Sequence, residues 1–134
     1  MVRILVAEDD RDLNGTLVSA LLREGYEAEG VADGEKALEA LSEKKFDMLI
    51  ADIMMPVMDG FALTERVRET DKQLPVLFLT ALDDKASKQR GYRLGIDDYV
   101  AKPFDMDLLM LRVGALLRRA NIERSRELVA GNLR

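Results

Sequence analysis

The sequence predicts an α/β domain in which a five-stranded parallel sheet is covered by helices on both faces. Three observations lead to this fold class. Short apolar segments recur five times along the 134 residues, apolar residues at helical spacing follow each segment, and turn residues separate them. Strands that alternate with helices require right-handed crossovers, so the strands should be parallel. A chain of this length buries one sizeable core, which predicts a single domain.

The predicted strands are apolar runs, as expected for strands that are buried on both faces of a sheet. They lie at residues 2–7, 26–31, 46–51, 76–79 and 99–101. The second run is the most polar of the five. We therefore expect it at an edge of the sheet.

The predicted helices have recognisable beginnings and ends. The first carries Leu13, Leu17 and Leu21 on one face and ends at Gly25. The last follows the turn at Lys102-Pro103 and continues as an amphipathic helix to Arg119. N-caps are predicted at Asp33 for the second helix, at Asp59 for the third and at either Asp83 or Asp84 for the fourth. The fourth helix should end near Gly95.

Composition excludes several kinds of chemistry. The chain has no cysteine and no histidine, which rules out disulfides, thiolate nucleophiles, histidine-based triads and most zinc sites. Its net charge of −5 argues against a domain that itself binds a nucleic-acid backbone. No apolar run approaches the roughly 18 residues of a membrane span, and a cytoplasmic protein without membrane contact is expected.

Four chemically useful side chains follow four of the five predicted strands. Asp9 follows the first strand, Asp52 the third, Thr80 the fourth and Lys102 the fifth. Each alone would usually be a cap or turn residue, but in a doubly wound sheet ligands bind beyond the carboxyl ends of the strands, where all four should meet. Clustered carboxylates favour a hard divalent cation, and Mg²⁺ fits best because it takes one or two carboxylates together with a phosphate oxygen. A carboxylate can also act as the nucleophile in phosphoryl transfer.

The same segments carry a resemblance to a known family. The runs ILVAEDD at 4–10, DIMMPVMDG at 52–60, LTA at 79–81 and DDYVAKPF at 97–104 resemble the motifs of response-regulator receiver domains. The resemblance covers residues 2 to about 120. It implies a flavodoxin-like (βα)5 fold with strand order 2-1-3-4-5, residues 1–120 forming the receiver domain.

The resemblance also implies a role for each matching residue. Asp52 corresponds to the phosphoacceptor, and Thr80 and Lys102 to the groups that bind the phosphoryl oxygens. Asp9 and Asp52 correspond to the carboxylates that bind Mg²⁺, with Glu8 acting mainly through water and Met54 through its backbone carbonyl. Tyr99 with Thr80 corresponds to the switch pair, and Lys102-Pro103 to a cis peptide bond.

A member of this family is not a conventional enzyme. It catalyses its own phosphorylation from a partner's phosphohistidine and slowly hydrolyses its phosphoaspartate. Since the chain has no histidine, a sensor histidine kinase is the implied donor. Met54 and Leu82 flank the expected approach of the attacking water and cannot orient it, which predicts a long-lived phosphorylated state.

The carboxyl-terminal part of the sequence resembles the class of response regulators whose receiver precedes a winged-helix DNA-binding domain. Residues 121–126 look like a polar linker, and residues 127–134 resemble the first strand of such a domain. We therefore expect residues 121–134 to contain the linker and the start of a truncated output domain. DNA contact would belong to that domain alone.

In that class, phosphorylated receivers dimerise through the fourth helix, fifth strand and fifth helix. Residues expected to form charge pairs across that interface are Lys88, Asp97, Asp98, Arg112 and Arg119. Three positions depart from the class pattern: Leu108 stands where an acid is usual, Gly114 where a base is usual, and Arg93 where an acid is frequent. Single ion pairs at an interface rim contribute little, so these departures leave dimerisation possible.

Three alternatives remain. A stand-alone receiver would act through protein contacts in chemotaxis or a phosphorelay. An aspartyl-phosphate phosphohydrolase would carry a second aspartate two residues after the nucleophile, where this chain has Met54. A flavin-binding protein of similar topology would need a phosphate-binding loop after the first strand, and none is present in the sequence.

Overall fold

Five strands alternate with five helices in the computed structural model, which describes residues 1–132 and their side chains through Asn121. The order is β1 (Arg3–Ala7), α1 (Arg11–Arg23), β2 (Glu27–Val31), α2 (Gly34–Glu43), β3 (Met48–Ala51), α3 (Gly60–Thr70), β4 (Val76–Thr80), α4 (Lys85–Leu94), β5 (Asp98–Ala101) and α5 (Met106–Asn132). Every predicted strand is present, with ends that differ by one or two residues.

The strands form one parallel sheet in the order β2-β1-β3-β4-β5, which confirms the predicted topology. Strand β1 lies in register with both neighbours, since Ile4 pairs with Ala28 on one side and with Met48 on the other. The polar strand β2 lies at an edge, as predicted. The chain reverses its direction of winding between β1 and β3, so a crevice opens at their carboxyl ends.

Alternate residues of each strand pack on opposite faces of the sheet. In β1, Ile4 and Val6 pack with the apolar residues of α1 and α5, whereas Leu5 and Ala7 belong to the core beneath α2 and α3. Phe78 belongs to the core beneath α2 and α3, where its ring meets the Phe61 ring edge to face, with centroids 5.8 Å apart. The helices are thereby fixed on both faces, and the strand ends are left open to ligands.

Aspartate side chains cap the helices where the sequence predicted caps. Asp33 and Asp59 accept hydrogen bonds from the first turns of α2 and α3. Asp84, rather than Asp83, caps α4 by accepting from the Ser87 N–H at 3.0 Å. Gly95 ends α4 with φ +96°, a left-handed conformation that glycine adopts without strain.

The prediction of a strand at 127–134 was wrong for residues 127–132, because α5 continues to Asn132. Residues 133–134 lie outside the described residues, and a connecting role for residues 121–126, which are helical here, stays a prediction. Residues 122–130 contain no proline or glycine that would stop the helix. An isolated strand would also need a neighbouring strand to satisfy its backbone. The continuing helix satisfies that backbone locally.

Among the residues that the structure describes, none of the helices has the length and apolar character needed to span a membrane.

Candidate functional site

The carboxyl ends of β1, β3, β4 and β5 bring together the side chains that the sequence predicted. Glu8 and Asp9 follow β1, Asp52 follows β3, Thr80 ends β4 and Lys102 follows β5. Glu8, Asp52 and Thr80 are buried, whereas Asp9 is exposed. The site therefore has a buried floor of polar groups and one carboxylate at its open side.

Lys102 joins two of these carboxylates. Its Nζ lies 2.7 Å from Glu8 Oε1 and 2.7 Å from Asp52 Oδ2. The two carboxylate side chains are only 3% and 7% exposed, and that of Lys102 is 21% exposed. Charge-assisted hydrogen bonds of this length are strong, because little water competes for them. The lysine thereby compensates for two acids that would otherwise repel each other.

Burial and neighbouring charges have opposite effects on the pKa values of Glu8 and Lys102. Burial raises the pKa of Glu8 above its ordinary value, although the hydrogen bond from Lys102 works against the shift. Burial alone would lower the pKa of Lys102, but its bonds to Asp52 and Glu8 outweigh that effect and raise it. The lysine is therefore held firmly in its charged form. Glu8 carries a desolvation cost that a second cation could relieve.

Three carboxylates are close enough to share a metal ion. Glu8, Asp9 and Asp52 each offer an oxygen, and the three oxygens lie within 4.8 Å of one another. All the donors are hard oxygen atoms, with no nitrogen or sulfur among them, which suits Mg²⁺ better than a transition metal. The residues present therefore fit the predicted Mg²⁺ site.

The loop after Asp52 is held close to that residue. The Met54 N–H donates to Asp52 Oδ1 at 3.0 Å, and the Gly60 N–H donates to the Ile53 carbonyl at 2.9 Å. A Cβ atom at Gly60 would lie 2.5 Å from the Asp52 carbonyl oxygen. Only glycine allows this approach, so α3 begins directly against the backbone of Asp52.

Val57 stands in this loop with φ +69°, an uncommon value for a residue other than glycine. The Met58 N–H donates to the Pro56 carbonyl at 2.7 Å, which closes a three-residue turn around Val57. A γ-turn with positive φ is rare and strained, especially at a β-branched residue. The valine side chain is 74% exposed and gains little from packing.

Thr80 and Tyr99 occupy neighbouring strands and meet the same loop. Thr80 Oγ1 accepts from the Leu82 N–H at 3.3 Å, and the Tyr99 hydroxyl donates to the Leu82 carbonyl. The Tyr99 ring is 8% exposed and packs edge to face on Phe78 at 6.3 Å. The predicted switch aromatic thus lies in a buried position, bonded to the loop that follows Thr80.

Four of the five residues predicted for a dimer interface form contacts within this chain, and the fifth, Arg119, is an exposed residue of α5. Lys88 Nζ lies 2.8 Å from Asp83 and 5.9 Å from the Tyr99 ring centroid. Asp98 accepts from Arg112 at 2.9 Å. Asp97 accepts from the Val76 N–H at 2.9 Å and lies 3.5 Å from Arg68, and Arg119 is exposed.

Two polar residues of the site were not singled out from the sequence. Asp10 caps α1, and its own N–H donates to Glu8 Oε2 at 3.0 Å. Asn14 bonds to the backbone of both Glu8 and Val31. An aspartate before a helical leucine pattern is a recognisable cap signal. No sequence motif marks Asn14, because its hydrogen-bond partners depend on how α1 packs against the sheet.

Comparison with known proteins agrees with this geometry. Residues 4–114 match the response regulator receiver domain. The chain is 40% identical to the transcriptional regulatory protein RprY of Bacteroides fragilis over 126 residues, which are 94% of this chain and 53% of that protein. It is 43% identical to the transcriptional regulatory protein PcoR of Escherichia coli over 120 residues, 90% of this chain and 53% of that protein. The chain thus spans about half the length of these relatives.

Solved structures show the same fold. The receiver domain of the Francisella response regulator 1452 superposes with a TM-score of 0.84 at 34% identity, covering 89% of this chain and 98% of that one. The Vibrio cholerae chemotaxis protein CheY4 superposes with a TM-score of 0.82 at 32% identity, covering 87% and 98%. From the matching motifs, sheet order and strand-end constellation, the chain belongs to the response regulator receiver domains of two-component systems, which are signalling switches and not conventional enzymes.

Proposed function

We propose that Asp52 accepts a phosphoryl group in a Mg²⁺-dependent reaction. The observation that carries this proposal is the position of Lys102, whose Nζ contacts both Asp52 and Glu8 beside the three-carboxylate cluster. A carboxylate that is buried and oriented between a lysine and a cation site is suited to nucleophilic attack on phosphorus.

The transfer needs few groups. An Asp52 carboxylate oxygen attacks phosphorus, the bond from phosphorus to the donor's imidazole nitrogen breaks, and that nitrogen leaves with the electron pair and takes a proton. Glu8, Asp9, Asp52 and the Met54 carbonyl would hold Mg²⁺, which neutralises charge on the transferring group when bound. Lys102 and Thr80 would bind the phosphoryl oxygens, so Lys102 exchanges part of its contact with Asp52 for the new group.

We propose that the phosphoryl donor lies outside these 134 residues. A phosphohistidine cannot form on this chain, since it has no histidine. Response regulators interact with sensor histidine kinases, and we propose such a kinase as the partner. The absence of cysteine suits a reducing compartment, which agrees with a cytoplasmic location for the exchange.

The switch would follow from the groups around Leu82. A phosphoryl group on Asp52 adds charge and acceptor oxygens that attract the Thr80 hydroxyl. Moving Thr80 disturbs its bond with the Leu82 N–H, and Leu82 is also the residue whose carbonyl accepts from Tyr99. Phosphorylation therefore shifts the balance between two arrangements of this loop, and α4, β5 and α5 carry the change to a partner.

Intact-mass measurement tests the phosphoacceptor. The protein is incubated with a small-molecule phosphodonor such as acetyl phosphate, with and without Mg²⁺, beside Asp52→Asn and the exposed control Asp107→Asn. We expect one added phosphoryl group on the wild type and on Asp107→Asn, in Mg²⁺ only, and none on Asp52→Asn. Wild-type protein that gains no mass in Mg²⁺, or Asp52→Asn that still gains it, would refute the proposal.

We further propose that residues 1–120 form the regulatory domain of a transcription factor, and that residues 121–134 lead into a winged-helix DNA-binding domain. The names of RprY and PcoR, together with the half-length match to each, support this output. The alternative is a stand-alone receiver like the chemotaxis protein CheY4, which matches over 98% of its own length. The length of the natural reading frame distinguishes the two.

The α4–β5–α5 face is the proposed homodimer surface in the phosphorylated state. It presents exposed Tyr92, Leu108 and Leu111 beside the Asp98–Arg112 pair. Sedimentation velocity with and without phosphodonor, on wild type, Arg112→Glu and the α1 control Arg23→Glu, tests it. We expect phosphorylation to produce a dimer in wild type and Arg23→Glu but not in Arg112→Glu, and an unaffected Arg112→Glu dimer would place the interface elsewhere.

A further inference from the structure

The side-chain amide of Asn14 joins two backbone carbonyls at the ends of neighbouring strands. Its Nδ2 donates to the Glu8 carbonyl at 2.9 Å and to the Val31 carbonyl at 3.0 Å. The Glu8 N–H also donates to the Val31 carbonyl, at 3.0 Å. Because carbonyl oxygens only accept hydrogen bonds, both contacts need the amide nitrogen, which fixes the orientation of the amide. Asn14 therefore ties β1 to β2 where the loop to α1 begins.

The bonded carbonyl of Glu8 belongs to the peptide unit that links Glu8 to Asp9. These are two of the three carboxylates that lie within 4.8 Å of one another. A peptide unit is planar, so fixing its carbonyl restricts the directions in which the two side chains leave the backbone. Glu8 is buried and Asp9 exposed. The amide of Asn14 thus acts on the peptide that sends one carboxylate inward and the other to the open side.

Local helix structure does not account for Asn14. Asp10 already caps α1 by accepting from the N–H groups of Asp12 and Leu13. Asparagine is a weak helix former, and one of its two bonds spans 17 residues of sequence. The residue therefore serves a contact between elements rather than the start of its own helix.

Gly30 provides the space for this amide. A Cβ atom at Gly30 would lie 1.9 Å from Asn14 Oδ1, far inside any tolerated contact. Gly30 lies within β2, opposite Val6 of β1, and glycine normally weakens a strand at such a position. The pair Asn14 and Gly30 is therefore one structural unit, because any side chain at residue 30 would displace the amide.

We infer that Asn14, seated against Gly30, is a positioning residue for the divalent-cation site formed by Glu8, Asp9 and Asp52. It acts through the Glu8–Asp9 peptide and not by contact with the cation. The inference rests on the proposed function, since it assigns to these carboxylates the binding of Mg²⁺. Groups that orient metal ligands in this way commonly change metal affinity by about 10- to 100-fold when they are removed.

Calorimetric titration with MgCl₂ tests the inference on the full chain. The variants are Asn14→Ala, Gly30→Ala and the double variant, with Thr16→Ala as a control on the exposed face of the same helix, where the Thr16 hydroxyl bonds only to the Asp12 carbonyl. We expect each single variant to raise the Mg²⁺ dissociation constant about tenfold. Gly30→Ala should add less than about twofold once Asn14 is alanine, because the amide it would displace is already gone.

The possible outcomes distinguish a failure of the positioning role from a failure of the proposed function. Wild-type affinity in folded Asn14→Ala and Gly30→Ala would overturn the positioning role and leave the proposed function intact. If the increases in the Mg²⁺ dissociation constant of the two single variants multiplied in the double variant, Asn14 and Gly30 would act independently, which would contradict their role as one unit. If wild-type protein neither binds Mg²⁺ nor gains a phosphoryl group, the proposed function fails first. Thermal unfolding of each variant establishes that the protein titrated is folded, and Gly30→Ala supplies a second route if Asn14→Ala does not fold.

Discussion

Lys102 Nζ lies 2.7 Å from Asp52 Oδ2, so the carboxylate that we propose as phosphoacceptor already faces a cation. The same nitrogen contacts Glu8 at 2.7 Å. Two nearly buried acids therefore depend on one side chain for charge compensation. The arrangement has consequences for stability as well as for phosphoryl transfer.

Replacing Lys102 with methionine should destabilise the protein when no metal is present. Two buried carboxylates lose their counter-charge, and we expect the free energy of unfolding to fall by about 2 kcal/mol, less than for a fully buried pair because Lys102 is partly exposed. Millimolar Mg²⁺ should shrink the difference, since the variant gains more from a cation. Urea unfolding in EDTA and in MgCl₂ measures both effects, with exposed Lys72→Met as control. A difference unchanged by Mg²⁺ would contradict this account.

The raised pKa of Glu8 predicts a particular dependence of stability on pH. Because the folded protein holds the Glu8 proton more tightly than the unfolded chain, this group favours folding most below its ordinary pKa of 4.5. That contribution is lost as the pH rises through the folded pKa. In EDTA, the stability of the wild type minus that of Glu8→Gln should therefore decrease above about pH 4.5 and then level off.

Urea unfolding across this pH range measures the difference, and the exposed variant Glu65→Gln serves as the control. A difference that stays flat or increases with pH would show that burial does not raise the pKa of Glu8 in the folded protein.

Val57 should be a source of strain that glycine removes. Positive φ at a non-glycine residue costs about 1 to 3 kcal/mol, and the added backbone entropy of glycine offsets about 0.5 to 1 kcal/mol of the gain. Val57→Gly should therefore raise the free energy of unfolding by about 1 kcal/mol. Val57→Ala is the matched control, because alanine keeps the Cβ atom that disfavours this φ. Equal effects of the two variants in urea unfolding would exclude backbone strain as the cause.

The residue pattern was sufficient for the five alternating strands and helices and for the main side chains of the site, whereas the strand order came from the resemblance to the receiver family. Apolar runs such as 76–79 are strong signals because central parallel strands are buried on both faces. Asp9, Asp52, Thr80 and Lys102 could be placed together because parallel strands end at one edge. Those predictions depended on chain order and periodicity, which the sequence contains.

Contacts that depend on packing could not be predicted in this way. Asn14 and Gly30 meet because α1 lies against β2, and neither residue stands in a recognisable motif. Lys88 forms an ion pair with Asp83 of its own chain. Sequence spacing alone could not predict whether Lys88 pairs within the chain or across an interface. The strand predicted at 127–134 was also wrong for residues 127–132, where α5 continues, because a short apolar run is compatible with a helix as well as with a strand.

Met54 and Leu82 lead to a prediction about the lifetime of the phosphorylated state. Met54 is 57% exposed and its N–H bonds to Asp52, whereas Leu82 lies two residues after Thr80 and its N–H bonds to the Thr80 hydroxyl. Neither side chain can hold an attacking water by hydrogen bonds. Substituting Met54→Asn and Leu82→Glu together should shorten the phosphoryl half-life by about tenfold, since polar groups that orient water accelerate hydrolysis.

Decay of the phosphorylated mass after removal of the donor measures the half-life. The apolar substitutions Met54→Leu and Leu82→Met are the matched controls and should leave it near the wild-type value. The hydrogen bond from Tyr99 to Leu82 uses the backbone carbonyl, so these variants keep that contact. If the polar pair decays no faster than the apolar pair, these side chains do not limit the access of water, and the lifetime depends instead on how tightly Lys102 and Thr80 hold the phosphoryl oxygens.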